Sequence, residues 1–215
     1  MNRVANETEV KLTFPADKLE QVLALKVLQG ADFKGKNHLV NRYYDTPELA
    51  LTQHKVALRI REQGEDIIQT VKTRGHSING LHQRGEWEWL LDKPDLDLTL
   101  LAQAQWPDAL PVEKLKGQLL PIFTTNFDRL VWWVTVNDTQ IEVALDQGDV
   151  SYQCARDGEL LKDAICELEL ELKSGAVEDL LMLKDQLQAE LGCLVTSDIS
   201  KAERGYRLFH QANRC

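Results

Sequence analysis

One pattern limits this chain more than any other: in strand after strand, charged side chains fall on one face and bulky apolar side chains on the other. In NETEVKLTF, residues 6–14, Glu7, Glu9 and Lys11 occupy every second position, while Thr8, Val10, Leu12 and Phe14 take the alternates. Strand side chains point to opposite faces in turn, so the three charges share a face, roughly 7 Å from one to the next. The same parity separates Arg59 and Arg61 from Leu58 and Ile60, and Arg84, Glu86 and Glu88 from Trp87 and Trp89. It separates Glu142 and Asp146 from Ile141, Val143 and Leu145, and Glu167, Glu169, Glu171 and Lys173 from Cys166, Leu168, Leu170 and Leu172. Lys72 and Arg129 add one cation each.

A strand with one wet face also alternates, but it more often mixes Thr, Ser and Asn among its charges. Three glutamates in a row at 167, 169 and 171 repel one another unless water, lysine or a metal compensates. Mg²⁺ and Mn²⁺ take carboxylate oxygens together with substrate phosphates, and arginine grips phosphate in bidentate pairs. Clustered glutamates beside clustered arginines therefore point to a metal and polyphosphate site. If the sheet closes into a barrel, the charged face lies inside, where there is room for one small ligand. Helices such as 16–29 and 176–191 must then cover the apolar outside. The alternative is an open sheet with its charged face in water.

The rest of the chain fits this frame. Pro15 starts one amphipathic helix that Gly30 ends, and Tyr43 and Tyr44 lie on a strand followed by a short helical turn with Thr46 as cap and Pro47 in its first position. A hairpin turns across Gln63–Asp66, and further strands occupy residues 82–91, 127–137, 139–152 and 164–175. The Pro- and Asp-rich stretch at 92–121 holds a short helix. Two helices close the sequence, one ending at Gly192 and one capped by Asp198. Seven or eight antiparallel strands with peripheral helices make an α+β domain on a large sheet or barrel. No composition break marks a linker, so residues 1–215 read as a single domain.

A net charge of −9 argues against nucleic acid or an anionic membrane as partner, yet permits an enclosed basic site. Residues 1–6 precede no apolar signal-peptide core, and no apolar run reaches membrane length, so a soluble cytoplasmic protein is expected. Cys154, Cys166, Cys193 and Cys215 lack Cys-x-x-Cys spacing and read as buried or free thiols. His38, His54, His76, His82 and His210 show no His-x-x-x-His pairing and read as surface or structural groups. Trp87, Trp89, Trp132 and Trp133 read as packing residues. Gly75 to Gly80 has P-loop spacing, but Leu81 and His82 replace the required Lys and Ser/Thr.

The ordered set Glu7-x-Glu9-x-Lys11, Leu58-Arg59-Ile60-Arg61, Thr70-Val71-Lys72, Glu167–Glu171 and Ser200-Lys201, spread over residues 5–210, resembles the CYTH-domain triphosphate tunnel metalloenzymes. GLHQR at 80–84 and LELELKSG at 168–175 are similar to stretches of bacterial inorganic triphosphatases. The resemblance implies a closed eight-stranded antiparallel β-barrel whose charged lining binds triphosphate with Mg²⁺ or Mn²⁺. By that resemblance, Glu7, Glu9, Asp146, Glu167 and Glu169 bind metal. Lys11, Arg59, Arg61, Lys72, Arg84, Arg129 and Lys201 contact substrate, and Glu7, Glu9, Lys11, Glu142, Asp146 and Lys201 serve catalysis. Glu86, Glu88 and Glu171 are secondary candidates. The implied activity is metal-dependent hydrolysis of tripolyphosphate to pyrophosphate and phosphate. Nucleoside or thiamine triphosphate hydrolysis, adenylate cyclase activity and non-catalytic polyphosphate binding are the alternatives. Relatives often continue into a C-terminal CHAD domain, a helical histidine-rich module; this sequence stops at Cys215 without one, and is expected to be either a single-domain member or a piece cut from a longer protein.

Overall fold

Eight long antiparallel strands carry the alternation: β1 (Arg3–Thr13), β2 (Asp32–Asp45), β3 (Ala57–Gln63), β4 (Asp66–Ile78), β5 (Leu81–Leu91), β6 (Leu120–Val136), β7 (Thr139–Gln153) and β8 (Leu160–Ser174). The computed structural model describes residues 3–213 and their side chains, other than those of residues 3–6, 74 and 77; Cys215 and the first two residues lie outside it. The strands follow the order β5-β4-β3-β2-β6-β7-β8-β1, and β1 pairs back onto β5, so the sheet is a closed barrel as expected. A short ninth strand, β9 (Val195–Thr196), continues the pairing on β1 where β5 ends. The register sets charge beside charge: Glu7 faces Arg84 on β5, and Lys11 faces Glu169 on β8.

Closure sends the apolar faces outward, where helices and loops cover them. Val10, Leu12, Ile141, Val143, Leu145, Leu168 and Leu170 pack under Val22, Leu25 and Leu28 and under Leu180, Leu183 and Leu187 of a long helix (Val177–Glu190). On the opposite side, Leu58, Val71, Trp87 and Trp89 lie under Leu101, Leu110 and Leu115 of the 98–115 segment.

The helix expected over 16–29 is broken. After a 3₁₀ turn at Ala16–Lys18 come α1 (Leu19–Leu23) and α2 (Lys26–Gln29), separated by Leu25 at φ −53, ψ 131. Val22, Leu25 and Leu28 are spaced by three, and an unbroken helix at 3.6 residues per turn would swing Leu28 about 120° away from Val22. The break lets all three bury. Pro47 also differs from expectation: it sits in a turn, Leu49 takes a left-handed φ of 59, and α3 (Ala50–Gln53) starts after it. Thr46 Oγ1 does accept from the Ala50 N–H at 3.1 Å.

The 92–121 stretch holds a 3₁₀ helix at Leu98–Gln103 and α4 (Val112–Leu115). The long helix at 177–190 is α5, and the last is α6 (Lys201–Ala212). Asp198 does not cap α6. Ser200 does, in a capping box with Glu203, while Asp198 accepts from the Gly80 N–H at 2.7 Å. Helix α6 plugs one end of the barrel, where the inner face turns apolar and Tyr43, Phe123, Val150 and Ile165 pack against Tyr206 and Leu208. No helix among the described residues is long and apolar enough to cross a membrane.

Candidate functional site

A cavity of about 390 Å³ runs inside the barrel, lined by all eight long strands and by Ser200, Lys201 and Ala202 at the start of α6. Every sequence-predicted site residue lines it except Asp146 and Glu167; Glu86, Glu88 and Glu171 line it as well. Strand parity alone delivers Glu7, Glu9 and Lys11 to one wall, and all three are buried. Lys72 Nζ donates to both Glu7 oxygens at 2.8 Å, and Arg84 bridges Glu7 (3.1 Å) and Glu9 (3.2 Å). Burial opposes the charge on Glu7, but Lys72 and Arg84 outweigh it and hold the carboxyl below the usual range. Glu9 goes the other way: burial, then repulsion from Glu7 and Glu169, push it up to about 7. Lys11 Nζ donates to the Ile199 carbonyl at 3.3 Å and stands 3.9 Å from Glu169.

The β3 wall carries two buried arginines, of which Arg59 is partly neutralised and Arg61 is not. Arg59 lies 3.7 and 3.9 Å from the carboxylates of Glu86 and Glu88, donates to the Tyr43 hydroxyl at 3.3 Å, and leaves its buried Nε without a partner. Arg61 donates to the Asn41 side-chain oxygen at 2.8 Å, and among the described residues no carboxylate lies within ion-pairing distance of it. Burial, then Arg59 and Arg129, push Arg61 down to about 10.

Across the cavity the acids are saturated. Lys201 Nζ stands 2.7 Å from Asp146, 2.8 Å from Glu167 and 2.7 Å from Glu169. Arg129 donates twice to Asp146 at 2.6 Å and once to Glu169 at 2.5 Å. Lys201 and Arg129, acting against burial, hold Glu169 well below the usual carboxylate range. One oxygen from each of Asp146, Glu167 and Glu169 lies within 4.8 Å of the others, a spacing that would suit a metal ion, but the Lys201 ammonium stands among them. Asp146 is fully buried beneath Arg129 and Lys201. Glu167 faces a second cavity of about 360 Å³ and takes a further bond from Arg204 at 2.9 Å. That trio is the one group of carboxylates among the described residues close enough together to share a cation, and of the three Glu169 also lines the main cavity, on the wall that holds Glu9. Glu142 and Glu171 share Lys173, at 3.4 and 2.7 Å.

Sequence reading missed four participants. Arg204 sits three residues after Lys201 on one helix face, a spacing that signals a shared role. Tyr43 and Trp133 line the cavity, Trp133 contrary to its expected packing role; its parity with Arg129 carried the signal. Trp132 points outward, 5.3 Å from the Phe33 ring. Lys34 joins the lining from the start of β2. The histidines match expectation: His82 is buried and lies 3.1 Å from the Ser197 carbonyl, and His38 contacts Asp128 at the surface.

The CYTH domain matches residues 5–206. The inorganic triphosphatase of Haemophilus influenzae is 39% identical over 171 residues, covering 79% of this chain; the chain spans 46% of that relative's length. Among solved structures, a candidate adenylyl cyclase from Hippeastrum, described as revealing a dominant triphosphatase activity, superimposes with a TM-score of 0.62 at 18% identity over 95% of each chain. A candidate adenylate cyclase from Bacillus halodurans follows at 0.59 and 22%, covering 94% of this chain and 97% of its own. At those identities the two structures establish a shared fold.

Proposed function

Because the chain belongs to the CYTH-domain family, we propose that its barrel is the site of a metal-dependent inorganic triphosphatase that hydrolyses tripolyphosphate to pyrophosphate and phosphate. One observation carries this reading: within a closed barrel, and among the described residues, Arg61 has no carboxylate partner and the buried Nε of Arg59 has no hydrogen-bond partner. A buried cation left under-neutralised awaits an anion, and guanidinium forks match phosphate oxygens. The 39% identity to a protein named inorganic triphosphatase supports the choice of anion.

In this mechanism Arg59, Arg61, Lys72 and Arg84 hold the chain of phosphates, with Lys11 and Arg129 reaching it from the neighbouring strands. Glu169, with Asp146 and Glu167 beside it and Glu7 and Glu9 on the neighbouring strand, would hold a divalent ion, Mg²⁺ or Mn²⁺, which would supply positive charge to the phosphoryl oxygens. Water attacks the terminal phosphorus, the anhydride P–O bond breaks, the electron pair leaves with pyrophosphate, and the water's proton passes to an oxygen of the phosphate products. Glu142 positions that water from the cavity wall. Asp146 and Glu167 keep Lys201 in place at the plugged end. Positioning and electrostatics carry the rate. We take residues 1–215 as one such domain, and the three free cysteines among the described residues support a cytoplasmic location.

Trp133 and Val131 in the lining favour a second reading, in which the cavity takes an organic triphosphate whose non-phosphate end rests on the indole. Phosphate release from tripolyphosphate and from ATP, with Mg²⁺, with Mn²⁺ and with excess chelator, decides between them. Metal-dependent release from tripolyphosphate with little from ATP supports the first reading. Preference for ATP supports the second, and no release from either removes both.

A further inference from the structure

Lys201 meets three carboxylates at once at 2.7–2.8 Å, and its stem has a fixed length, so the seat of α6 sets whether the ammonium reaches all three. The seat of α6 is therefore a functional quantity. Arg204 anchors one side, through Asp163 at 2.7 Å and Glu167 at 2.9 Å. The other side rests on a fixed point outside the cavity. Asp45, fully buried at the end of β2, accepts from the Thr46 N–H at 2.8 Å, the Leu51 N–H at 2.7 Å and the Thr52 N–H at 3.0 Å. Its fourth donor is the Tyr206 hydroxyl, at 2.8 Å.

The Tyr206 ring meets Phe123 edge-on at 5.1 Å, and Phe123 stacks on Tyr43 at 4.7 Å. Tyr43 in turn accepts a hydrogen bond from Arg59. Gly205 lets the helix come this close, since a Cβ there would lie 2.1 Å from the Phe123 ring. One aromatic post thus supports both the helix that carries Lys201 and the strand that carries Arg59.

We propose that Tyr206 is a positioning residue: its bond to Asp45 and its edge contact with Phe123 set the depth of α6 at which Lys201 reaches Asp146, Glu167 and Glu169. Loss of the hydroxyl alone lets the helix ride outward and takes Lys201 off its carboxylates. The kinetic part of this inference rests on the triphosphatase reading, whereas the positional part stands without it.

The test is Tyr206→Phe, read first by lysine acylation and mass spectrometry on the ligand-free protein. Lys201 should react at least fivefold faster than in wild type, with Lys11 and Lys72 unchanged. Gly205→Ala, which keeps the phenol but pushes the helix off Phe123, should expose Lys201 in the same selective way. With tripolyphosphate and divalent metal, Tyr206→Phe should lose at least tenfold in kcat with KM within twofold. Unchanged protection of Lys201, or an equal rise at Lys11, Lys72 and Lys201, overturns the proposal. Selective exposure of Lys201 in a protein that turns over no triphosphate upholds the positioning role and removes the activity reading alone.

Discussion

The two walls of the cavity carry similar kinds of charge and treat them in opposite ways. On the side of β6, β7, β8 and α6, three carboxylates meet Lys201 and Arg129 at 2.5–2.8 Å, so that nearly every oxygen has a donor. On β3, Arg59 and Arg61 stand close together with carboxylates at 3.7 Å or farther. Burying an ion costs several kcal/mol, which a well-placed partner offsets and a distant one does not. The first wall is therefore fully paired in the free protein, and its Glu169 and Arg129 would meet a metal or a phosphate only by exchanging part of that pairing. The second holds attraction that a polyanion can use at once, so the difference separates groups that must exchange a partner to take a ligand from groups already open to one.

Breaking the complete wall should produce the largest effect. Lys201→Met leaves Asp146, Glu167 and Glu169 short of their central cation and should cost about 3–5 kcal/mol, a fall of about 10 °C in Tm by calorimetry. A melting temperature within 2 °C of wild type would mean that the acid wall is not held by this lysine. Glu9→Gln comes next. With a divalent ion present, tripolyphosphate hydrolysis should fall about 100-fold while Tm holds, because the variant removes a carboxylate that already repels Glu7 and Glu169.

The same residue gives a pH signature. Folding raises the Glu9 carboxyl to about 7, so the folded state binds its proton more tightly than the unfolded chain does. The stability this contributes is complete below the ordinary carboxylate range and is lost as pH rises through about 7. Between pH 5.5 and 8, metal-free wild type should lose melting temperature relative to Glu9→Gln; parallel curves for the two proteins would contradict the shift.

Arg61→Met tests the incomplete wall. KM for tripolyphosphate should rise about 10- to 100-fold through lost charge-assisted bonds, while the ligand-free Tm stays level or climbs because an under-neutralised buried cation is gone. A fall in both would place Arg61 with the structural charges. Smallest of all should be Trp133→Ala, with tripolyphosphate turnover within twofold of wild type; a larger loss would favour an organic substrate.

Much of this was legible before any coordinates. A period of two is unambiguous over five or more residues, so Glu7, Glu9 and Lys11, or Glu167 and Glu169, could be assigned a face with certainty relative to their neighbours. Closure was not legible in that way, because parity is identical in an open sheet and a barrel; the family resemblance supplied it. Side-chain partnerships were hidden for a further reason. The placement of Lys201 depends on how α6 docks, and that depends on Gly205, Tyr206 and Asp45, none of which carries a periodic signal. Asp45 follows two tyrosines at a strand end and looks like an ordinary turn residue until its four donors converge on it. The break at Leu25 was obscured by helix propensity, which says nothing about whether three buried leucine and valine side chains can share one face of a straight cylinder.

The closing of the barrel by β1 also fixes the order in which the chain can become native. Glu9 must find Glu171 on β8, almost the whole chain away, whereas the β3–β4 and β4–β5 hairpins close over a few residues. Loop-closure entropy delays the distant pairing, so the hairpins form early and the seam last, on the millisecond-to-second scale of topologies dominated by non-local contacts. Until that seam shuts, β5 and β8 present free edges, and their own charged residues, Arg84, Glu86 and Glu88 on β5 and Glu167, Glu169 and Glu171 on β8, hinder another chain from pairing there in place of β1.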